Sequence, residues 1–363
     1  MRASVAARPL VGGPSLGRTT LVLGVGVGLV VAAALAAVAV GSTDVGLGEA
    51  IRIIAQRLGF PVTETWAPTA PTILFEVRLP RVLAGIVVGA GLGAAGVVFQ
   101  ALLRNPMADP YVIGAAAGAS LGAVLAITAP IVLPFLAIGA GTAWLGIGLV
   151  QVAAFVGGLG AVALVLAVAR QGGRSSMVTL LLTGYAVSSL LAAGTALLLV
   201  NAGRALSAVV GWLLGSLGGV GYSELAIATP LVIGGSVLLL LRWRSLNLLL
   251  LGDEPAAALG VDLVPERRVL VVLATVVTSA AVALAGTIGF VGLVVPHLVR
   301  LAIGPDHRLL LPTSCLGGAA LLVTADLVAR VAGGVPVGVV TALIGAPFFL
   351  WLLHRAAGAA TTP

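Results

Sequence analysis

Eight charged residues fall within positions 242–268 of a chain that is otherwise largely apolar. The stretch reads RWRSLNLLLLGDEPAAALGVDLVPERR, and hydrophobic runs flank it on both sides. It is too charged to cross a bilayer, so it is predicted to be a structured loop at a membrane surface. A charged, helix-forming loop between two membrane spans can receive force or signal from a soluble partner.

Two short helices are predicted within this loop, Ser245–Leu251 and Asp253–Leu259, joined at Gly252. Asp253 fits the N-cap position of the second helix, and Gly260 can end it. The alternative is an ordinary solvated loop that carries positive charge on the inner side. Ordinary loops rarely contain capped helices with an exposed Ala/Leu face, so a docking surface is favoured.

A second group of charges precedes the next long apolar run, in Glu76-Val77-Arg78-Leu79-Pro80-Arg81. Arg78 and Arg81 are three residues apart and share one face of a helix. Two guanidinium groups on one face can pair with carboxylates of an external protein. They can equally anchor a helix end at lipid head groups, and the spacing alone does not decide between the two.

The other ionisable residues point away from metal binding and ion-coupled transport. The histidines, His297, His307 and His354, do not form a cluster with metal-ligand spacing. Asp326 and Glu224 are the acids near the apolar runs, and both lie near their ends. A proton- or sodium-coupled carrier usually keeps an ionisable group near the midplane, so the energy for transport is expected to come from elsewhere.

Composition sets the fold class. Of 363 residues, 60% are hydrophobic and 9% are charged, which predicts an all-α polytopic membrane protein and excludes a soluble domain. Long uncharged runs also exclude an outer-membrane barrel. All 19 basic residues are Arg, so a phosphate-binding loop with its Lys cannot exist in this chain. The single Cys315 excludes an intrachain disulfide, and no nucleic-acid partner is expected from the net charge of +7.

About ten transmembrane helices are predicted in one permease domain covering residues 1–363. A basic leader, residues 1–19, precedes a first span that is too long for a typical signal peptide, although Ala37-Val38-Ala39 resembles a cleavage site. Residues 45–58 have the spacing of a short interfacial helix. Further spans are predicted near 81–103, 111–133, 145–169, 177–200, 225–241, 309–329 and 336–354.

The uncharged stretch 269–299 is too long for one straight span and too short for two. Glycines and Pro296 interrupt its second half, so a full helix followed by a short broken helix is predicted. With both termini inside, ten spans place 13 arginines inside and 6 outside, against 11 and 8 if the stretch is one span. A stripe of Gly114, Gly118 and Gly122 predicts tight helix packing.

Several motifs, in order along residues 45–355, strongly resemble the permeases of iron-siderophore and vitamin B12 ABC importers. They are RLPR at 78–81, QALLRNPMADP at 100–110, GWLLGSLGG at 211–219, LGDEPAAALG at 251–260, GFVGLVVPHLVR at 289–300, the pair Asp326 and Arg330, and PVGVVTALIGAP at 336–347.

The resemblance implies the transmembrane subunit of a type II ABC importer, without a cofactor or catalytic activity of its own. Its implied partners are two ATPase subunits, a second permease copy or a paralogue, and an extracytoplasmic binding protein. The implied location is the bacterial cytoplasmic membrane, with both termini cytoplasmic, and membrane lipid is a further partner. A ferric-siderophore chelate is the expected cargo, with cobalamin or haem as the alternative. A secondary transporter without an ATPase is the alternative of a different class.

The resemblance also assigns residues. ATPase coupling is implied for the loop residues Leu251, Gly252, Asp253, Glu254, Pro255, Ala256, Leu259 and Gly260. Binding-protein docking is implied for Arg78, Arg81 and Arg330, which the topology places outside. The family's inner gate corresponds to Ser175, Ser176, Met177 and Thr179, although Met177 departs from the polar residues expected there.

Overall fold

A computed structural model describes residues 15–41, 46–132, 148–169 and 177–360, and the described part of the chain is helical without strands. This confirms the all-α prediction. The helices are α1 Leu16–Ala39, α2 Leu47–Arg57, α3 Ala70–Leu102, α4 Ala115–Val132, α5 Leu149–Ala169, α6 Met177–Val200, α7 Leu206–Leu213, α8 Tyr222–Leu241, α9 Trp243–Leu249, α10 Asp253–Ala258, α11 Leu263–Ala285, α12 Val291–Ile303, α13 His307–Val331 and α14 Val337–Ala360.

Among the described residues, seven helices are long and apolar enough to cross a membrane, and three apolar helices are shorter. The shorter helices correspond to α4, α12 and α14. Together they match the ten predicted spans. The predicted interfacial helix matches α2, which packs Ala50 and Ile53 against the end of α1.

Helix α3 lies at the centre of the bundle, and glycines bring its backbone against α13. A Cβ atom added at Gly89 would stand 2.3 Å from the carbonyl oxygen of Gly318, and one at Gly93 would stand 2.3 Å from that of Ser314. Between membrane helices, packing supplies much of the attraction, and small residues allow the backbones to approach closely. The α3–α13 pair is therefore a close backbone contact that larger residues would separate.

The predicted glycine stripe packs α4 against α5. A Cβ atom at Gly118 would meet the carbonyl oxygen of Gly157 at 2.2 Å, and one at Gly122 would meet that of Ala153 at 2.1 Å. Gly114 has a different role, because it ends a short 3-10 turn with φ at +92°. Tight packing is confirmed for two of the three glycines.

The predicted broken helix is present, since α11 ends at Ala285 and α12 begins at Val291. The backbone between them is paired with other parts of the protein. The Tyr111 hydroxyl donates to the Ile288 carbonyl at 2.9 Å and accepts from the Ile288 amide at 3.2 Å. The Ser216 amide donates to the Ala285 carbonyl at 2.8 Å. Irregular backbone at membrane depth requires such partners.

Candidate functional sites

The two predicted loop helices form, the first at Trp243–Leu249, two residues earlier than predicted, and the second at Asp253–Ala258. Helix α9 ends at Leu249, and Gly252, with φ at +118°, is the N-cap of α10. Asp253 is thus the first helical residue and not the N-cap, which corrects the prediction by one position. Its carboxylate still lies at the helix N-terminus, where negative charge is favoured.

Gly260 ends α10 as predicted. It has φ at +90°, its amide donates to the Ala257 carbonyl, and the Val261 amide donates to the Ala256 carbonyl at 3.0 Å. This pair of bonds is a Schellman motif, whose left-handed position strongly favours glycine. The end of the helix is therefore fixed by the backbone of a single residue.

Helix α10 has one buried side and one exposed side. Ala256 is fully buried, whereas Leu251 and Leu259 are 49% and 61% exposed. Glu254 and Pro255 are exposed on the same outer surface. We call this exposed set of residues the α10 surface: Leu251, Glu254, Pro255, Leu259 and Gly260.

The loop is attached to the bundle by polar contacts that the sequence did not reveal. The Asn247 amide group donates to the Asp306 carboxylate at 2.8 Å and accepts from the His307 backbone amide at 2.9 Å. This connects α9 to the N-terminus of α13. Arg242 pairs with Glu266 at 2.8 Å across the two ends of the loop.

Asp253 also has partners outside the loop helices. It pairs with Arg267 of α11 at 2.6 Å and with Arg104, which follows α3. These partners are 14 and 149 residues away in sequence. The available signal was that Arg104 is the first charged residue after the long apolar run of α3.

Arg78, Arg81 and Arg330 are brought together at the opposite end of α3, where Arg81 and Arg330 share the carboxylate of Asp326. Arg81 Nη2 lies 2.8 Å from Asp326 Oδ1, and its Nε lies 3.0 Å from both carboxylate oxygens. Arg330 Nε lies 3.2 Å from Asp326 Oδ2. Two guanidinium groups, those of Arg81 and Arg330, therefore share one carboxylate.

Two of these arginines also bind the C-terminus of α1. Arg78 donates to the Val38 carbonyl, and Arg330 donates to the carbonyls of Ala37 at 2.8 Å and Val40 at 3.1 Å. The last carbonyls of a helix lack partners within it and carry partial negative charge. This structural role was missed, because the sequence does not indicate that α1 ends beside α13.

Burial limits what the arginine cluster can offer to an external partner. Arg78 is 4% exposed, and the side chains of Arg81 and Arg330 are 20% and 11% exposed. Arg81 is therefore the member with the most accessible charge.

Of the predicted gate residues, Ser175 and Ser176 lie outside the described residues. Met177 begins α6, and Thr179 is exposed in its first turn. Helix α6 carries further exposed side chains along its length, including Leu182, Tyr185 and Leu197.

No group of three or more metal-binding side chains occurs among the described residues. In α12, His297 is buried close to the end of α3.

Comparison with known proteins gives consistent matches over most of the chain. The model of the FecCD transport family matches residues 29–355. The chain is 50% identical over 301 residues to the cobalamin import system permease protein BtuC of Halobacterium salinarum, covering 83% of this chain and 77% of that protein. It is 42% identical over 287 residues to the hemin transport system permease protein HmuU of Yersinia pestis, covering 78% and 83%.

A third relative is the Fe(3+) dicitrate transport system permease protein FecD of Escherichia coli, 41% identical over 286 residues, covering 78% and 85%. Among solved structures, the fold matches a chain assigned to the metal-chelate type of ABC transporter in an inward-facing conformation. That match has a TM-score of 0.76 and 32% identity, and it covers 92% of this chain and 99% of the other.

Proposed function

The chain belongs to the FecCD transport family and is an ABC importer permease, and from that premise we propose that it carries a ferric-siderophore-type metal chelate across the cytoplasmic membrane. The observation that supports an externally driven permease best is the α10 surface, on an exposed helix that ends in a Schellman motif and is attached to α11 and to the end of α3 through Asp253. The chain has no phosphate-binding loop of its own, so ATP hydrolysis takes place in partner subunits.

Two ATPase subunits would dock on the α10 surfaces of two permease copies. Leu251 and Leu259 supply apolar contact area, and Glu254 supplies a charge at the N-terminus of α10. The exposed, small helix fits a groove, a common mode of recognition for amphipathic helices. Both chain termini lie on the same cytoplasmic side in this arrangement.

The second permease copy, or a paralogue, would face the exposed side of α6. Tyr185 is 74% exposed there, and Ser189 and Thr179 are exposed on the same helix. The exposed hydroxyl of Tyr185 suits a polar translocation path between two copies better than it suits lipid. The predicted gate at 175–179 would lie at the start of this path.

Transport follows by alternating access. ATP-dependent closure of the ATPases moves α10, rocks the paired permeases and opens the path outward, and hydrolysis reverses the change once the chelate has entered. The chelate keeps its metal throughout, so the permease needs no metal ligands and catalyses no reaction.

Cobalamin is the second candidate cargo, favoured by the 50% identity to a cobalamin permease. The test is uptake in cells that lack their own importers and express the chain with its neighbouring ATPase and binding-protein genes. Uptake of a radiolabelled ferric siderophore that excess cobalamin or haemin does not inhibit supports the proposal. Uptake of labelled cobalamin or haemin without siderophore uptake would assign the cargo to the alternatives.

An extracytoplasmic binding protein would dock at the arginine cluster of Arg78, Arg81 and Arg330 through its carboxylates. We expect Arg81→Gln to weaken binding-protein association by about tenfold, because charge-assisted pairs are lost and cannot be replaced by an amide. The measurement is biolayer interferometry on the permease–ATPase complex in nanodiscs.

Arg57→Gln is the matched control, because Arg57 is an exposed arginine of α2, outside the cluster. Equal weakening by the two substitutions would remove the cluster from the docking site and leave only a general effect of charge. Thermal melts of both variants establish that the comparison is made on folded protein.

A further inference from the structure

Arg104 has a backbone conformation that is unusual for its residue type. It follows Leu103, the C-cap of α3, and has φ at +47°. This position after a helix is usually occupied by glycine, because a Cβ atom is strained in the left-handed region. The fold therefore keeps an arginine at a position where glycine would cause less backbone strain. This indicates a role for the arginine side chain.

The Arg104 side chain binds both helices of the charged loop. Its Nε donates to the carbonyl of Leu249, the last residue of α9, at 3.0 Å. Its Nη2 pairs with the carboxylate of Asp253, the first residue of α10. One guanidinium group thus fixes both sides of the bend at residues 250–252, and it also complements the negative C-terminal end of α9.

Arg267 ties the same carboxylate to a second bundle helix. Its Nη2 lies 2.6 Å from Asp253 Oδ1, the oxygen that also accepts from Arg104. Burial and the neighbouring Arg267 lower the pKa of Arg104. Asp253 holds two positive groups together that would otherwise repel each other.

The helices joined in this way are the interior helices of the bundle. Among the candidate spans, α3 and α11 have the largest buried shares. A displacement of the exposed α10 would therefore be passed to the most tightly packed part of the fold, because close-packed interiors transmit strain.

We propose that Arg104 and Arg267 are positioning residues that transmit the movement of α10 to α3 and α11 through Asp253. This inference rests on the proposed function, because α10 moves only if an ATPase docks on it. The ATPase contacts the α10 surface, whereas the two arginines bind its bundle side. Substitution of these two arginines should leave ATPase docking and ATP hydrolysis intact. It should prevent the translocation path from responding to nucleotide.

Arg104→Gly is the sharpest variant. Glycine suits a φ of +47°, so the substitution relieves the backbone while removing both side-chain contacts. Arg104→Lys keeps a positive charge but not the fork that reaches Leu249 and Asp253 together, so an intermediate effect is expected. Arg268→Gln is the control, because Arg268 is the exposed neighbour of Arg267 and has no ion pair among the described residues.

The response of the path can be measured without knowing the cargo. Ser189, exposed midway along α6, is replaced by Cys in a Cys315→Ser background, and its reaction with a membrane-impermeant maleimide is followed from outside. In the complex with the ATPase, trapping with ATP and vanadate should change the rate by about tenfold, as expected for two-state coupling.

In Arg104→Gly the rate should no longer respond to nucleotide, while ATP hydrolysis, ATPase binding and melting temperature stay close to those of the parent. A full nucleotide response in Arg104→Gly would overturn the proposal. Loss of ATPase binding or a lowered melting temperature would also overturn it, in favour of a docking or structural role. If the parent permease, without any substitution at Arg104, binds no ATPase, the proposed function fails whatever the variants do.

Discussion

Alanine at position 89 is expected to lower the melting temperature of the protein, whereas alanine at position 160 is expected to leave it unchanged or raise it. A Cβ atom at Gly89 would lie 2.3 Å from the carbonyl oxygen of Gly318, and backbone atoms cannot rotate away. Overpacking typically costs about 1–3 kcal/mol, and the upper end is expected here because two backbones must separate.

Gly160 is the matched control, because a Cβ atom there meets nothing within 4 Å. Its helix should gain up to about 1 kcal/mol, the usual difference between alanine and glycine. Differential scanning fluorimetry in one detergent gives both values. Equal melting temperatures would show that α3 and α13 are not in backbone contact.

Asp326→Asn is expected to destabilise the protein by about 3 kcal/mol. Removing one partner of a buried ion pair costs about 3–5 kcal/mol, and the lower end applies because Arg81 is 20% exposed. The variant leaves Arg81 and Arg330 without their shared counter-charge. The C-terminus of α1, which Arg78 and Arg330 bind, should then loosen from α13.

Glu64→Gln is the control for the loss of one carboxylate. Glu64 is exposed and accepts a hydrogen bond from Gln56, so the change is expected to cost less than about 1 kcal/mol. Melting temperatures measure the loss of stability. The rate of proteolysis between α1 and α2 measures the loosening of α1. An Asp326→Asn variant as stable as Glu64→Gln would mean that the carboxylate does not hold the arginines in place.

The sequence predicted features that depend on local composition. The apolar runs located the spans because the hydrocarbon core demands about 20 apolar residues for each helix. The glycines and the proline after residue 285 indicated the broken helix, and Gly260 indicated the end of α10. These signals lie within a few residues of the structure they determine.

Contacts between distant segments could not be predicted. Arg81 and Asp326 are 245 residues apart, and Arg104 and Asp253 are 149 apart. The first pair forms because α3 packs against α13, a contact that the glycines of both helices permit but do not specify. The second pair forms because α10 lies beside the end of α3. The N-cap of α10 was misplaced by one residue because Gly252, at φ +118°, can take a position that composition assigns to Asp253.

The central claim is that the permease is passive and that an ATPase bound at the α10 surface drives it. Proteoliposomes containing the permease alone, or with its ATPase, and supplied with the binding protein and a radiolabelled metal chelate, test this claim directly. We predict accumulation against the chelate gradient only when the ATPase and ATP are both present. Uphill accumulation by the permease without the ATPase, driven by a proton or sodium gradient, would contradict it.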